Sequence, residues 1–80
     1  MAEVSRVRVL SKPGCHLCED AEAVVASVCA EIGATFEVVD ITHDRELLTR
    51  YGEQIPVTFV DGAQHDFWRV DPERLRAALR

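Results

Sequence analysis

Within its first forty residues the chain changes hydrophobic period twice, and this constrains the fold more than any other feature. Residues 6–10, RVRVL, alternate polar and apolar positions with β-branched residues, which predicts a strand. SKPG breaks the run. From His16 to Ile32 apolar residues recur at helical spacing, at Leu17, Ala21, Val24, Val28 and Ile32, and Gly33 is a natural stop. Residues 35–40, TFEVVD, return to a strand pattern. Strand, helix and strand in this order predict a right-handed βαβ unit with parallel strands.

The second half adds a different unit. THDRELLTRYG predicts a short helix, with Thr42 as cap, Asp44 in the first turn, Leu47 and Leu48 facing inward and Gly52 at the end. Val57–Val60 is a third strand. Asp61-Gly62 is a strong two-residue hairpin signal, so residues 63–68 should return antiparallel. In DPERLRAALR, Asp71 caps a last helix, Pro72 takes its first position and Glu73 its first turn, and Leu75, Ala78 and Leu79 form one apolar stripe. The expected fold class is α/β, in the order β-α-β-α-β-β-α: a four-stranded mixed sheet flanked by three helices, the thioredoxin-like arrangement in minimal form.

Eighty residues leave room for one hydrophobic core, so residues 1–80 are read as a single domain. A net charge of −5 argues against a nucleic-acid surface, which needs clustered Lys and Arg. The opening MAEVSRVRVL carries two arginines and no long apolar stretch, unlike a signal peptide or a membrane span. The expectation is a mature chain beginning near Met1, cytoplasmic, monomeric and without a membrane partner. Three cysteines are an odd count and too few for a disulfide-stapled secreted miniprotein. In a reducing compartment a cysteine pair points to catalysis or metal binding.

Two of those cysteines lie in SKPGCHLCED, between the first strand and the first helix. Backbone N–H groups at a helix start lack internal partners, and the macrodipole is positive there. A thiolate at Cys15 can accept those N–H groups, which lowers its pKa and makes it the attacking thiol. Cys18, one turn on, can resolve a mixed disulfide. Lys12 and a protonated His16 would favour the thiolate, whereas Glu19, Asp20 and Glu22 oppose it. The carboxylates could equally be a solvated acidic helix face. Cys29 lies about three helical turns beyond Cys18, roughly 16 Å along the axis, too far for a disulfide, and reads as a small buried residue. Phe67 is expected in the core, with a partner groove as the alternative, Trp68 in the core or in that groove, and His43 and His65 at the surface or as caps.

SKPGCHLC at a strand–helix junction, together with IPVTFV at the third strand, resembles a glutaredoxin-like thiol redoxin of the thioredoxin fold. The similarity spans nearly the whole chain in element order, and the overall look is that of small bacterial glutaredoxin-like proteins with Cys-x-Leu-Cys. The resemblance implies a cis proline at Pro56, with Ile55 presenting its backbone to a ligand. It implies that Lys12 stands beside the reactive thiol, and that His16, Leu17, Trp68 and Asp71 contribute to substrate binding. It implies a redox-active pair without a bound cofactor, acting on a disulfide-bearing protein or a low-molecular-weight disulfide, with glutathione or a reductase as electron donor. Departures are the His16-Leu17 spacer in place of Pro-Tyr, and HDFWRVDPE where glutaredoxins carry a Gly-Gly kink and an acidic pair for glutathione; only Asp71 resembles that acidic cap. SKPGC and WRVDPERL are also similar to the glutaredoxin-like hydrogen donors of ribonucleotide reductase, which take electrons from thioredoxin reductase.

The leading expectation is therefore a thiol–disulfide oxidoreductase. Two alternatives come from other classes. One is a metal or iron–sulfur site on Cys15 and Cys18, although zinc wants four ligands and no second pair is present. The other is a non-catalytic, redox-sensitive adaptor.

Overall fold

The computed structural model describes residues 5–80, so the expectation about the chain start near Met1 falls outside the described residues. The elements are β1 (Val7–Ser11), α1 (His16–Ile32), β2 (Phe36–Asp40), α2 (Arg45–Tyr51), β3 (Val57–Val60), β4 (Ala63–Phe67) and α3 (Pro72–Leu79). They form one four-stranded mixed sheet in the order β2-β1-β3-β4. β1 pairs parallel with β2 and antiparallel with β3, and β3 pairs antiparallel with β4. The expected fold class is met. β1 runs one residue later than RVRVL because its pairing with β2 continues to Ser11 opposite Asp40.

Two apolar clusters hold the sheet. Val7 and Val9 of β1 and Val60 of β3 pack with Ala21, Val25, Val28 and Cys29 of α1 and Leu75 and Leu79 of α3. Leu10, Ile41, Ile55, Val57 and Cys18 form the second cluster, with Cys15, Val39, Leu47, Tyr51 and Phe59 against it. In this cluster Tyr51 of α2 meets Phe59 edge to face, with ring centroids 5.6 Å apart. The buried face of α1 differs from the expected stripe: Val25 and Cys29 are buried, Val24 is half-buried and Ile32 is exposed. Sheet and α3 both pack on α1, so the buried arc follows two partners rather than a single apolar maximum. Cys29 is free and buried, as expected, and burial pushes its thiol pKa up.

Local chemistry sets the joints. Asp61 (φ 50) and Gly62 (φ 86) are both left-handed and form the expected tight hairpin turn. Arg6 fastens this turn to the start of β1, donating through Nε and Nη2 to the Asp61 carboxylate at 3.0 and 2.9 Å, and this bond holds the Asp61 pKa below the usual carboxylate range. α2 starts later than expected. Asp44, not Thr42, is its cap and accepts from the Leu47 N–H at 3.0 Å, while Thr42 donates its N–H and hydroxyl to Asp40. Leu48 points outward rather than inward.

α3 begins as expected, with the Asp71 carboxylate accepting from the N–H groups of Glu73 (2.8 Å) and Arg74 (3.3 Å). Asp71→Ala should lower stability by about 1 kcal/mol and Tm by roughly 4–8 °C, and Asp71→Asn should retain most of it. Thermal melts followed by circular dichroism check both.

The β4 return ends differently from the expectation. A bulge between Thr58 and Phe59 sets Thr58 opposite Asp66 and Phe59 opposite Gln64, leaving His65 as the extra residue. Phe67, expected in the core, is 47% exposed, and Trp68 is 50% exposed. The two rings meet edge to face with centroids 5.0 Å apart. His65 is half-buried rather than on the surface, its Nε2 3.9 Å from Asp66 Oδ2.

Candidate active site

Gly14 (φ 78) turns the chain after β1, a left-handed step that an L side chain takes poorly. The next residue, Cys15, is the N-cap of α1, in extended conformation (φ −95, ψ 109). Its Sγ accepts the Cys18 N–H at 3.1 Å, the bond a serine or aspartate cap would otherwise make. Cys15 and Cys18 are joined as a disulfide with Cα atoms 5.2 Å apart. Their surroundings differ: Cys15 is half-buried and Cys18 is 1% exposed within the second apolar cluster. Cys15 is therefore the more accessible member of the pair and Cys18 the enclosed one.

The expected partners of the pair fall into two groups. Leu17, Ile55 and Trp68 come together with Phe67 and Arg69 around an open groove of about 300 Å³. Leu17 and Trp68 also line a smaller depression with Asp20, Val24 and Arg69. The Ile55–Pro56 peptide is cis, and both residues are buried. Ile55, 8% exposed, lines the groove. Trp68 closes the groove with its backbone in the left-handed region (φ 63), costly for a bulky residue. It is held there by its N–H on Pro56 O (2.8 Å) and its indole N–H on Glu53 O (3.1 Å). The kink after the hairpin, made by two glycines in the family the sequence resembles, is made here by a tryptophan that forms a wall.

Lys12 lies in a separate cleft of about 240 Å³ that Cys15 lines with Ser11, Glu19, Glu22 and Asp40. His16 belongs to neither the groove nor the cleft. Its side chain is 96% exposed, with Nδ1 3.7 Å from Glu19 Oε2. Asp71 is likewise apart from both, its carboxylate engaged in capping α3. Among the described residues no group of three or more His, Cys, Asp or Glu is placed to hold a metal ion. Among the described residues no helix is long and apolar enough to cross a membrane.

Asp40 and Arg69 are site residues that sequence reasoning does not reach. Asp40 has a signal: parallel pairing of β1 and β2 brings their C-terminal ends side by side, so the residue ending β2 flanks the loop carrying Cys15. Arg69 has none, since the turn at Trp68 directs it. Phe67, for which the core is the first expectation, takes the alternative place in the groove.

The sequence pattern of the Glutaredoxin-like domain (DUF836) matches residues 6–80. An uncharacterized protein of Mycobacterium tuberculosis is 31% identical over 79 residues, covering 92% of this chain and 81% of that protein. Among solved structures, the structural-genomics target protein XcR50 from X. campestris is similar with 32% identity and a TM-score of 0.76, over 91% of this chain and 93% of that one. Oxidized glutaredoxin 2 from Chlamydomonas reinhardtii shares the fold, with a TM-score of 0.57 at 23% identity, over 92% of this chain and 70% of that one.

Proposed function

Because the chain belongs to the Glutaredoxin-like domain family, we propose that it is a dithiol–disulfide oxidoreductase, working as a monomer in the cytoplasm. The observation that carries this is Cys15 itself: a half-buried sulfur at the N-cap of α1, within disulfide reach of a buried Cys18. Reduced, Cys15 attacks one sulfur of a substrate disulfide, forms a mixed disulfide and expels the other substrate sulfur as a thiolate. The Cys18 thiolate then attacks Cys15 Sγ, releases the second substrate thiolate and closes the Cys15–Cys18 disulfide. Two electrons pass from the protein dithiol to the substrate, and a donor dithiol, or two glutathione thiols, restores the pair. The N–H that Sγ accepts and the helix dipole stabilise the attacking thiolate.

The substrate is a protein disulfide. An extended segment can lie beside Ile55 and cis-Pro56, and an apolar side chain next to its cysteine fits the groove of Leu17, Phe67 and Trp68. The pair acts without a bound cofactor, and glutathione is the weaker of the two donors because the kink after β4 lacks the double glycine.

Disulfide reduction coupled to NADPH oxidation tests this in two arms, one with thioredoxin reductase and one with glutathione and its reductase. Turnover is expected with thioredoxin reductase and at a several-fold lower rate with glutathione. NADPH consumption at background level in both arms would sink the proposal.

A further inference from the structure

We infer that the cleft beside Cys15 selects protein disulfides whose reactive cysteine is flanked by lysine or arginine, an inference that rests on the oxidoreductase reading. The site is fixed by Cys15, which lines the cleft, and not by its acidic neighbours alone. A substrate sulfur approaching Cys15 Sγ brings the residues next to it into this space. There three carboxylates, Glu19, Glu22 and Asp40, stand against one ammonium, Lys12.

The acidic character is built in by more than one element. Glu19 and Glu22 are one turn apart on α1, and Asp40 comes from the end of β2. Asp40 accepts the Thr42 hydroxyl at 2.5 Å and the Thr42 N–H at 2.9 Å, bonds that hold its pKa below the usual carboxylate range and keep it ionised at neutral pH. His16 faces Glu19 and offsets part of its charge only when protonated. In the depression that Leu17 lines with Trp68 the balance is even, with Arg69 against Asp20. The aromatic groove, whose charged lining residue is Arg69, therefore differs from the acidic cleft that Cys15 lines. An anionic substrate meets repulsion only on the cleft side, and a cationic one is drawn there, which changes encounter rate and choice of partner. The same field opposes glutathione, an anion at neutral pH.

Three synthetic peptides test the inference. They are disulfide-linked dimers of equal length that differ only in Lys, Ser or Glu on both sides of the cysteine. Pre-reduced, desalted protein is mixed with each under single-turnover conditions, so no donor is needed. Acid quenching, alkylation and mass spectrometry then read closure of the Cys15–Cys18 disulfide. Each rate constant is divided by that of free dithiothreitol with the same peptide, which removes intrinsic differences in reactivity. The expected normalised order is Lys, Ser, Glu, with about a tenfold span at low ionic strength that shrinks toward one near ~0.5 M salt. Glu19→Gln/Glu22→Gln should compress the span several-fold, and Glu22→Gln or Asp40→Asn alone, each less demanding on folding, should compress it partly. Equal normalised rates in the wild type, or a span unmoved by salt and by all the variants, would overturn the inference while leaving the oxidoreductase reading intact. If none of the three peptides is reduced, both fall together.

Discussion

Cys15→Ser should abolish disulfide reduction, a loss on the order of 10³-fold or more, because no other sulfur can begin the exchange. Cys18 is 1% exposed and lies behind Cys15, and Cys29 is buried in the other apolar cluster. Cys18→Ser should behave differently. Cys15 still attacks, but nothing resolves the product, so a mixed disulfide accumulates at Cys15 and appears in intact-mass spectra as the added mass of one substrate thiol. Cys29→Ala should leave the rate unchanged. The three variants separate attack, resolution and background, and the proposal requires this particular pattern. Activity in Cys15→Ser, or a trapped adduct on Cys18 in the wild type, would reverse the assigned roles.

The second large effect concerns the fold. Leu75 of α3 is fully buried against β1, β3 and α1. Leu75→Ala should cost about 3–5 kcal/mol, since the lost transfer energy adds to that of a cavity the close-packed layer cannot collapse. A domain of this length has roughly 4–12 kcal/mol in total, so the variant should lose about a quarter or more of its stability. Leu48, the same residue type, is 39% exposed on α2, and Leu48→Ala should stay within about 0.5 kcal/mol. Urea unfolding of both checks this, with the midpoint moving and the slope unchanged.

That contrast between two leucines marks what the sequence could tell. Where a signal is local and complete, it was legible. Asp71-Pro72 fixes the start of α3, Asp61-Gly62 fixes the hairpin, and SKPGC leads into α1 at His16. Each depends on backbone chemistry within a few residues. Where two neighbours compete for one task, it was not. Thr42 and Asp44 can both cap a helix, and the choice fell to Asp44 because Thr42 is bound to Asp40. Where a distant partner sets the phase, periodicity misleads. The bulge opposite Phe59 breaks the alternation along β4 and leaves Phe67 outside, and the joint packing of sheet and α3 brings Val25 and Cys29 inward on α1.

The site divides the same way. Two short motifs and a resemblance single out Cys15, Cys18, Lys12, Leu17, Ile55, Pro56 and Trp68; the fold sets Lys12 in one cleft with Cys15, Ile55 in one cluster with both cysteines, and Leu17, Ile55 and Trp68 in one groove. His16 and Asp71 were singled out with them and lie elsewhere, one directed at Glu19 and one at the start of α3. Spacing along a helix says which residues are near a thiol in sequence but not toward which side each is turned.

Trp68 is the only tryptophan in the chain, and it forms a wall of the groove beside Leu17. The protein thus carries a single indole at the place where a ligand chain would lie, beside Leu17, the residue between the two cysteines in sequence. Excited apart from Tyr51, its emission reports one environment, and occupation of the groove is expected to change it in unlabelled protein.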